Sequence, residues 1–113
     1  MQITRITDAG TYETKAHFDM VGLRLQGAPV SATSFATIGL SHFLPGGGAE
    51  SSTSNIEKIY IMVSGEMTVI TDEGESVLGA LDSCLLAAGE RRALINRSNL
   101  PASMLVILPG GKS

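Results

Sequence analysis

The sequence predicts an all-β chain closed into one barrel or sandwich, and three observations carry that expectation. Turn-forming clusters recur at short intervals, among them Gly27-Ala28-Pro29, Pro45-Gly46-Gly47-Gly48, Ser64-Gly65-Glu66, Asp72-Glu73-Gly74, Ala88-Gly89-Glu90 and Pro109-Gly110-Gly111. Between them lie short runs rich in Ile, Val, Leu and Thr, the pattern of strands joined by tight turns. No stretch of a dozen residues holds an apolar repeat of 3.6 residues; Leu81 to Arg92 comes nearest, and Gly89 within it argues against a helix.

The elements follow in order. A first barrel strand is expected over residues 33–44. A hairpin is expected from Ile56–Val63 and Glu66–Thr71, turning on Ser64-Gly65. The turn at Asp72-Glu73-Gly74 leads to a strand over Glu75–Leu78, and further strands are expected over Ser83–Leu86, Arg91–Asn96 and Ser103–Leu108. With 113 residues and no linker, repeat or low-complexity segment, the chain reads as a single domain, 1–113.

Composition narrows the function. Hydrophobic residues at 43% against 17% charged describe a chain with a packed core rather than a disordered one. A net charge of -3 supplies no basic footprint, so no nucleic acid is expected as a partner. Uninterrupted apolar runs stop at five residues, as in Ile59–Val63 and Met104–Leu108. A membrane helix needs about 20 and a signal-peptide core about 7 to 15, so no membrane association is expected. The single Cys84 forms no internal disulfide and reads as a small core hydrophobe; a reducing cytoplasmic location is the expectation. Strands such as Ile59–Val63 are apolar on both faces. The face that does not fill the barrel needs a cover, and a homodimer is the expected one.

Two spaced frames point to a family. In the first, Pro45-Gly46 is followed by Ser52-x-Ser54, Lys58 and Gly65; in the second, Leu81 is followed by Ala87-x-Gly89, Arg92 and Asn96. Fifteen residues separate Gly65 from Leu81. The pattern resembles the two motifs of the cupin superfamily, with Gly46, Gly65, Gly89 and Asn96 in place and Leu81 and Ala87 standing where the family has Gly and Pro. The resemblance spans roughly residues 35–109. It implies a cupin-like double-stranded β-helix (jelly-roll) barrel at about 33–109, preceded by an N-terminal strand segment, 1–32.

The departures from the family are chemical. The positions at which cupins hold a divalent metal, through His, His, Glu and His, are Ser52, Ser54, Lys58 and Arg92 here. Serine hydroxyls are poor ligands, and an ammonium and a guanidinium offer no lone pair to a cation. No metal and no other cofactor is therefore expected, and the family's metal chemistry does not carry over. His17 and His42 fall in no ligand-spaced cluster.

Strand alternation puts Lys58, Tyr60 and Met62 on one face, which the resemblance turns into the barrel along with Arg92. Two cations about 6 Å apart repel by roughly 2 to 3 kcal/mol at an effective dielectric near 20, so a counter-charge is needed. Glu50, Glu57 and Glu90 are candidates within the chain, and a small anionic metabolite, such as a carboxylate, is the candidate outside it. The candidate catalytic residues are Lys58, as base or Schiff-base amine, and Tyr60, as oxyanion donor. The candidate ligand-binding residues are Arg92, Ser52, Ser54 and His42, although parity alone leaves open which way His42 faces. Three functions stay open: an isomerase, lyase or decarboxylase acting on a small acid; a binding module without turnover; and a structural barrel whose site is filled or self-paired. An open cavity of roughly 300 Å³ or more beside Lys58 and Arg92 separates the first two from the third.

Overall fold

A computed structural model describes residues 1–110; residues 111–113, including the Gly111 of the last turn cluster, lie outside the described residues. Nine strands follow a short 3-10 turn at Ile6–Asp8: β1 Thr11–Tyr12, β2 His17–Gln26, β3 Ala36–Ser52, β4 Lys58–Ser64, β5 Met67–Thr71, β6 Gly74–Leu78, β7 Ser83–Leu86, β8 Arg92–Ile95 and β9 Ala102–Pro109. They pair in the order β6-β5-β8-β3-β9-β4-β7, with β2 on β3 and β1 on β2. The sheet curls until it nearly closes, so the all-β barrel read from the turn spacing is what the chain forms.

Strand β3 makes the closure possible. Its first half pairs with β9 from Ala36↔Pro109 to Phe43↔Ala102, and its second half pairs with β8 from Gly48↔Ile95 to Ser52↔Arg92. One continuous strand thus belongs to both layers. Pro45-Gly46-Gly47-Gly48, expected as a turn, does not reverse the chain but bends β3 at the corner between the layers. Gly46, at φ 83, takes the left-handed conformation that this bend requires and that glycine adopts without steric cost. Opposite the bend, β2 carries a bulge between Phe18 and Met20.

Alternation along the strands sorts the side chains. Thr37, Gly39, Ser41 and Phe43 of β3 point inward and register with Leu108, Val106, Met104 and Ala102 of β9; Tyr60 and Met62 of β4 continue the rows. The closed end of the barrel is plugged by Phe43, Met62, Met67, Leu94 and Met104, all with little or no exposure. At full burial each such side chain contributes about 1.5–3 kcal/mol. Toward the other end, the small residues Ser41, Gly39 and Thr37 leave the lumen open.

The outer face of the same sheet is apolar too. Ile38, Ile107, Ile59 and Leu85 register across four strands, and Leu40, Leu105 and Ile61 form the next row. Ile59 and Leu85 are exposed. His42 belongs to this outer set, where its Nδ1 lies 2.8 Å from the Ser103 hydroxyl.

Leu81, standing where the family motif has Gly, sits at φ 70 in the β6–β7 connection and is 82% exposed. Its amide is pinned there by the Met62 carbonyl at 2.8 Å. A left-handed non-glycine residue costs about 1–2 kcal/mol, only partly offset by the greater unfolded-state freedom of Gly. Leu81→Gly should therefore raise stability by about 0.5–1 kcal/mol, with Leu81→Ala giving no such gain. Thermal melts of the two variants check this, and a destabilised glycine variant would refute the strain.

Candidate functional site

The open end of the lumen is a cavity of about 520 Å³. Its floor is apolar, formed by Phe43, Leu94, Met104 and Val106, and its mouth is ringed by Lys58, Arg92, His17, Lys15 and Arg24. The volume exceeds what a filled, purely structural barrel would leave.

Lys58 and Arg92 are each placed by a strand. Lys58 opens β4 directly above Tyr60, and Arg92 opens β8 two residues before Leu94, so the two face each other from opposite layers. Arg92 is only 7% exposed; its Nη1 donates to the Glu50 carbonyl oxygen at 3.3 Å, and its Nε is buried with no partner. Among the described residues the ion pairs are Arg91–Asp72 and Arg97–Glu75, both at the surface. None of the three glutamates considered from the sequence neutralises the site. Glu50 offers Arg92 its backbone rather than its carboxylate, and Glu90 spends a carboxylate oxygen on the Ala87 amide at 3.0 Å. Glu57 is exposed.

The electrostatic consequence appears in three groups. Burial, and then the Arg92 charge, lowers the pKa of Lys58. Burial raises that of the Tyr60 phenol, against the pull of Arg92, so Tyr60 stays a hydrogen-bond donor through neutral pH. Burial lowers that of His17, with the nearby Arg92 and Lys58 charges adding to the effect and a hydrogen bond to Lys15 opposing it.

Ser52 and Ser54 lie beside Lys58 and Arg92 but not in the main cavity. They line a separate crevice of about 10 Å³, and the Ser54 hydroxyl accepts the Ile56 amide. His42 is a correction: it points away from the lumen, because the residues of β3 that face inward are the odd-numbered ones. Sequence reading missed His17, Tyr12, Glu13 and Arg24, which the fold brings to the mouth. Tyr12, in register with Gly22 of β2, reaches in because Gly22 and, two register positions along on β3, Gly39 leave a slot for its ring; a Cβ at either would meet that ring. Arg24 then stacks on the ring at 4.4 Å from its centre. A glycine within each of two neighbouring strands is the one sequence signal that marks such a slot, and the register that brings Gly22 and Gly39 under one ring is not visible in sequence.

The residues at the family's metal position do not fit a divalent cation. Arg92 holds a buried, unpartnered N–H there and Lys58 a second positive charge. Among the described residues no group of three or more His, Cys, Asp or Glu side chains is gathered as a metal site would need.

The comparisons with known proteins agree with the architecture. The Cupin domain family model matches residues 39–108. A Mycobacterium tuberculosis protein named as a beta-D-galactosidase is 41% identical over 106 residues, covering 94% of this chain and 91% of that protein. Among solved structures, a polyketide cyclase from Streptomyces resistomycificus superposes with a TM-score of 0.86 at 16% identity, covering 96% of this chain and 79% of its own. An RmlC-like cupin from Shewanella frigidimarina gives 0.80 at 12%, covering 100% and 94%. With the barrel, both motif frames and the family match over most of its length, the chain belongs to the cupin superfamily.

Proposed function

We propose that the barrel is a metal-independent site for a small carboxylate, held between Arg92 and Lys58 at the cavity mouth. The observation that carries this reading is the buried Arg92 guanidinium, unpartnered at Nε, beside a second cation with no carboxylate bridging either. A buried charge left uncompensated is costly, and an arriving carboxylate supplies both the counter-charge and the acceptor for Nε. Tyr60 adds a neutral donor deeper in the lumen, and the Phe43–Met104–Val106 floor suits a short apolar or planar body. Isomerase, lyase or decarboxylase chemistry on such an acid is the enzyme form of this reading.

A second reading follows from the name of the Mycobacterium tuberculosis relative, hydrolysis of a β-D-galactoside. Glycosidases generally work with two carboxylic acids about 5–10 Å apart. Among the described residues lining the cavity, Glu13 is the one carboxylate, and it stands among cations. The geometry therefore favours an acid as the ligand over a neutral galactoside.

Thermal-shift and calorimetric titration of the metal-stripped protein with a panel of small mono- and dicarboxylates tests the proposal. The wild type should be stabilised. Arg92→Met should weaken binding by about 2–5 kcal/mol, while Lys58→Met, relieved of repulsion, should melt no lower than wild type yet bind more weakly. Binding that requires added Zn²⁺, Fe²⁺ or Mn²⁺ would defeat the metal-independent site. Hydrolysis of a chromogenic β-D-galactoside by wild type but not by Glu13→Gln would transfer the assignment to the second reading.

The partner in solution is proposed to be a second copy of the chain, docked through the rows Ile38–Ile107–Ile59–Leu85 and Leu40–Leu105–Ile61. Light scattering should report a dimer at micromolar concentration, and the pair Ile59→Glu and Leu85→Glu should convert it to a folded monomer. A wild-type monomer would rule this interface out.

A further inference from the structure

We propose that His17 is the proton acceptor of this site, which makes the chain an enzyme that moves a proton at the carbon beside the carbonyl of a bound 2-oxo acid. This rests on the carboxylate reading above and goes beyond it, from binding to a reaction and a base.

The placement comes first. His17 opens β2 in register with Ala49, which is itself in register with Leu94 of β8, so His17 lies on the same inner surface as Arg92. Lys58 looks across from the other layer, and all three line the one cavity. The backbone holds the imidazole there. Ala16 and Asp19, flanking His17-Phe18, sit at φ 56 and 50, and the Glu50 amide donates to the Ala16 carbonyl at 2.8 Å. Two non-glycine residues in the left-handed region within four positions form a local distortion of the kind that gathers at functional sites.

The tautomer comes next. His17 Nδ1 lies 2.6 Å from the Lys15 carbonyl oxygen. A carbonyl only accepts, so Nδ1 carries the hydrogen and, in the neutral ring, the lone pair belongs to Nε2. With Nδ1 turned back to the backbone, Nε2 is the nitrogen left for the cavity. The charged and titratable groups around it are Tyr12 from β1, Lys58 and Tyr60 from β4, Arg92 from β8, Arg24 from β2, and Glu13 and Lys15 from the β1–β2 connection. The cations among them, with burial, favour the neutral ring. Lys58 would have to lose a proton before acting as a base, whereas Nε2 presents its lone pair without one.

The step balances within the site. With the carboxylate on Arg92 and the 2-oxo oxygen toward Lys58, Nε2 forms a bond to a hydrogen of C3. The C3–H electron pair becomes the C2=C3 bond, and the carbonyl π pair moves to oxygen, giving an enolate beside the Lys58 ammonium. Return of the proton from Nε2 to carbon restores the imidazole. No oxidant or reductant takes part.

The experiment follows exchange of the C3 hydrogens of pyruvate and 2-oxobutyrate in D₂O by proton NMR, using wild type, His17→Gln and His42→Gln, with binding of the same acids measured by thermal shift. Wild type and His42→Gln should accelerate exchange. His17→Gln should lose about 100-fold or more while still binding both acids. The wild-type rate should rise with pH through the titration of His17, below its ordinary 6.5 when the site is empty, and that limb should vanish in His17→Gln. Exchange by His17→Gln at the wild-type rate, or binding by wild type without exchange, would overturn the role of His17, and borohydride trapping of the acids on Lys58 would overturn the enolate step, since an imine replaces the carbonyl oxygen. Failure of every carboxylate to bind would instead overturn the anion site, and the base with it.

Discussion

The barrel depends on one buried amide. Strand β3 serves two layers, and where it bends at Leu44–Gly47 its backbone groups leave one ladder before they join the next. Asn96, with no exposure at all, supplies the missing partners. Its Nδ2 donates to the carbonyls of Leu44 and Leu100 at 3.2 and 2.8 Å. Its main chain exchanges bonds with Gly46 and Gly47, each at 2.8 Å. Its Oδ1 accepts from the Ser98 amide and hydroxyl. A buried amide is tolerated only when it is paired, and here each side-chain hydrogen and the oxygen has a partner. The clasp sets the corner angle, and the corner angle decides that Ser52 meets Arg92 while Thr37 to Phe43 meet β9.

That geometry carries two cations to one point. In a cupin with metal ligands, the same corner would bring neutral and anionic donors together around a positive ion. Here the sign is reversed, and the frame that would gather ligands gathers Lys58 and Arg92 instead. Repulsion between them is carried by the rigidity of β4 and β8, each locked in register on both sides or against the core. The apolar plug below, with Met62, Met67 and Met104 buried, leaves no route for the charges to retreat inward. On the proposed reading, compensation comes from the open end.

Much of the architecture was legible in sequence, because its signals are local. Turn residues and period-two alternation located β4 to β9 to within about two residues, and the inward facing of Lys58, Tyr60 and Met62 follows from parity once the motif frame is set. What sequence hid was non-local. Pro45-Gly46-Gly47-Gly48 carries the composition of a reversal, yet Asn96, fifty residues on, makes it a bend within a strand. His42 and Ser41 are equally plausible on either face until β9 is paired. The mouth of the site hid most completely. Tyr12, His17 and Arg24 reach it only through the β2–β3 register and its bulge, so the half of the site contributed by the N-terminal segment was invisible while the half contributed by the motifs was not.

The two halves are coupled through charge. Burial, with the Arg92 and Lys58 charges adding to it, favours a neutral His17 and thereby weakens it as a base, since each cation repels the proton it would accept. A carboxylate lying between the cations cancels part of that field. On the proposed reading the imidazole gains basicity at the moment an acid is bound, and by linkage the same coupling would make the acid bind more tightly when His17 is protonated. A neutral ligand would produce no such change. In the proposed site the cations of the motif strands would therefore do more than hold an anion: through one histidine from the N-terminal strand, they would make the proton affinity of the site depend on the charge of what it holds.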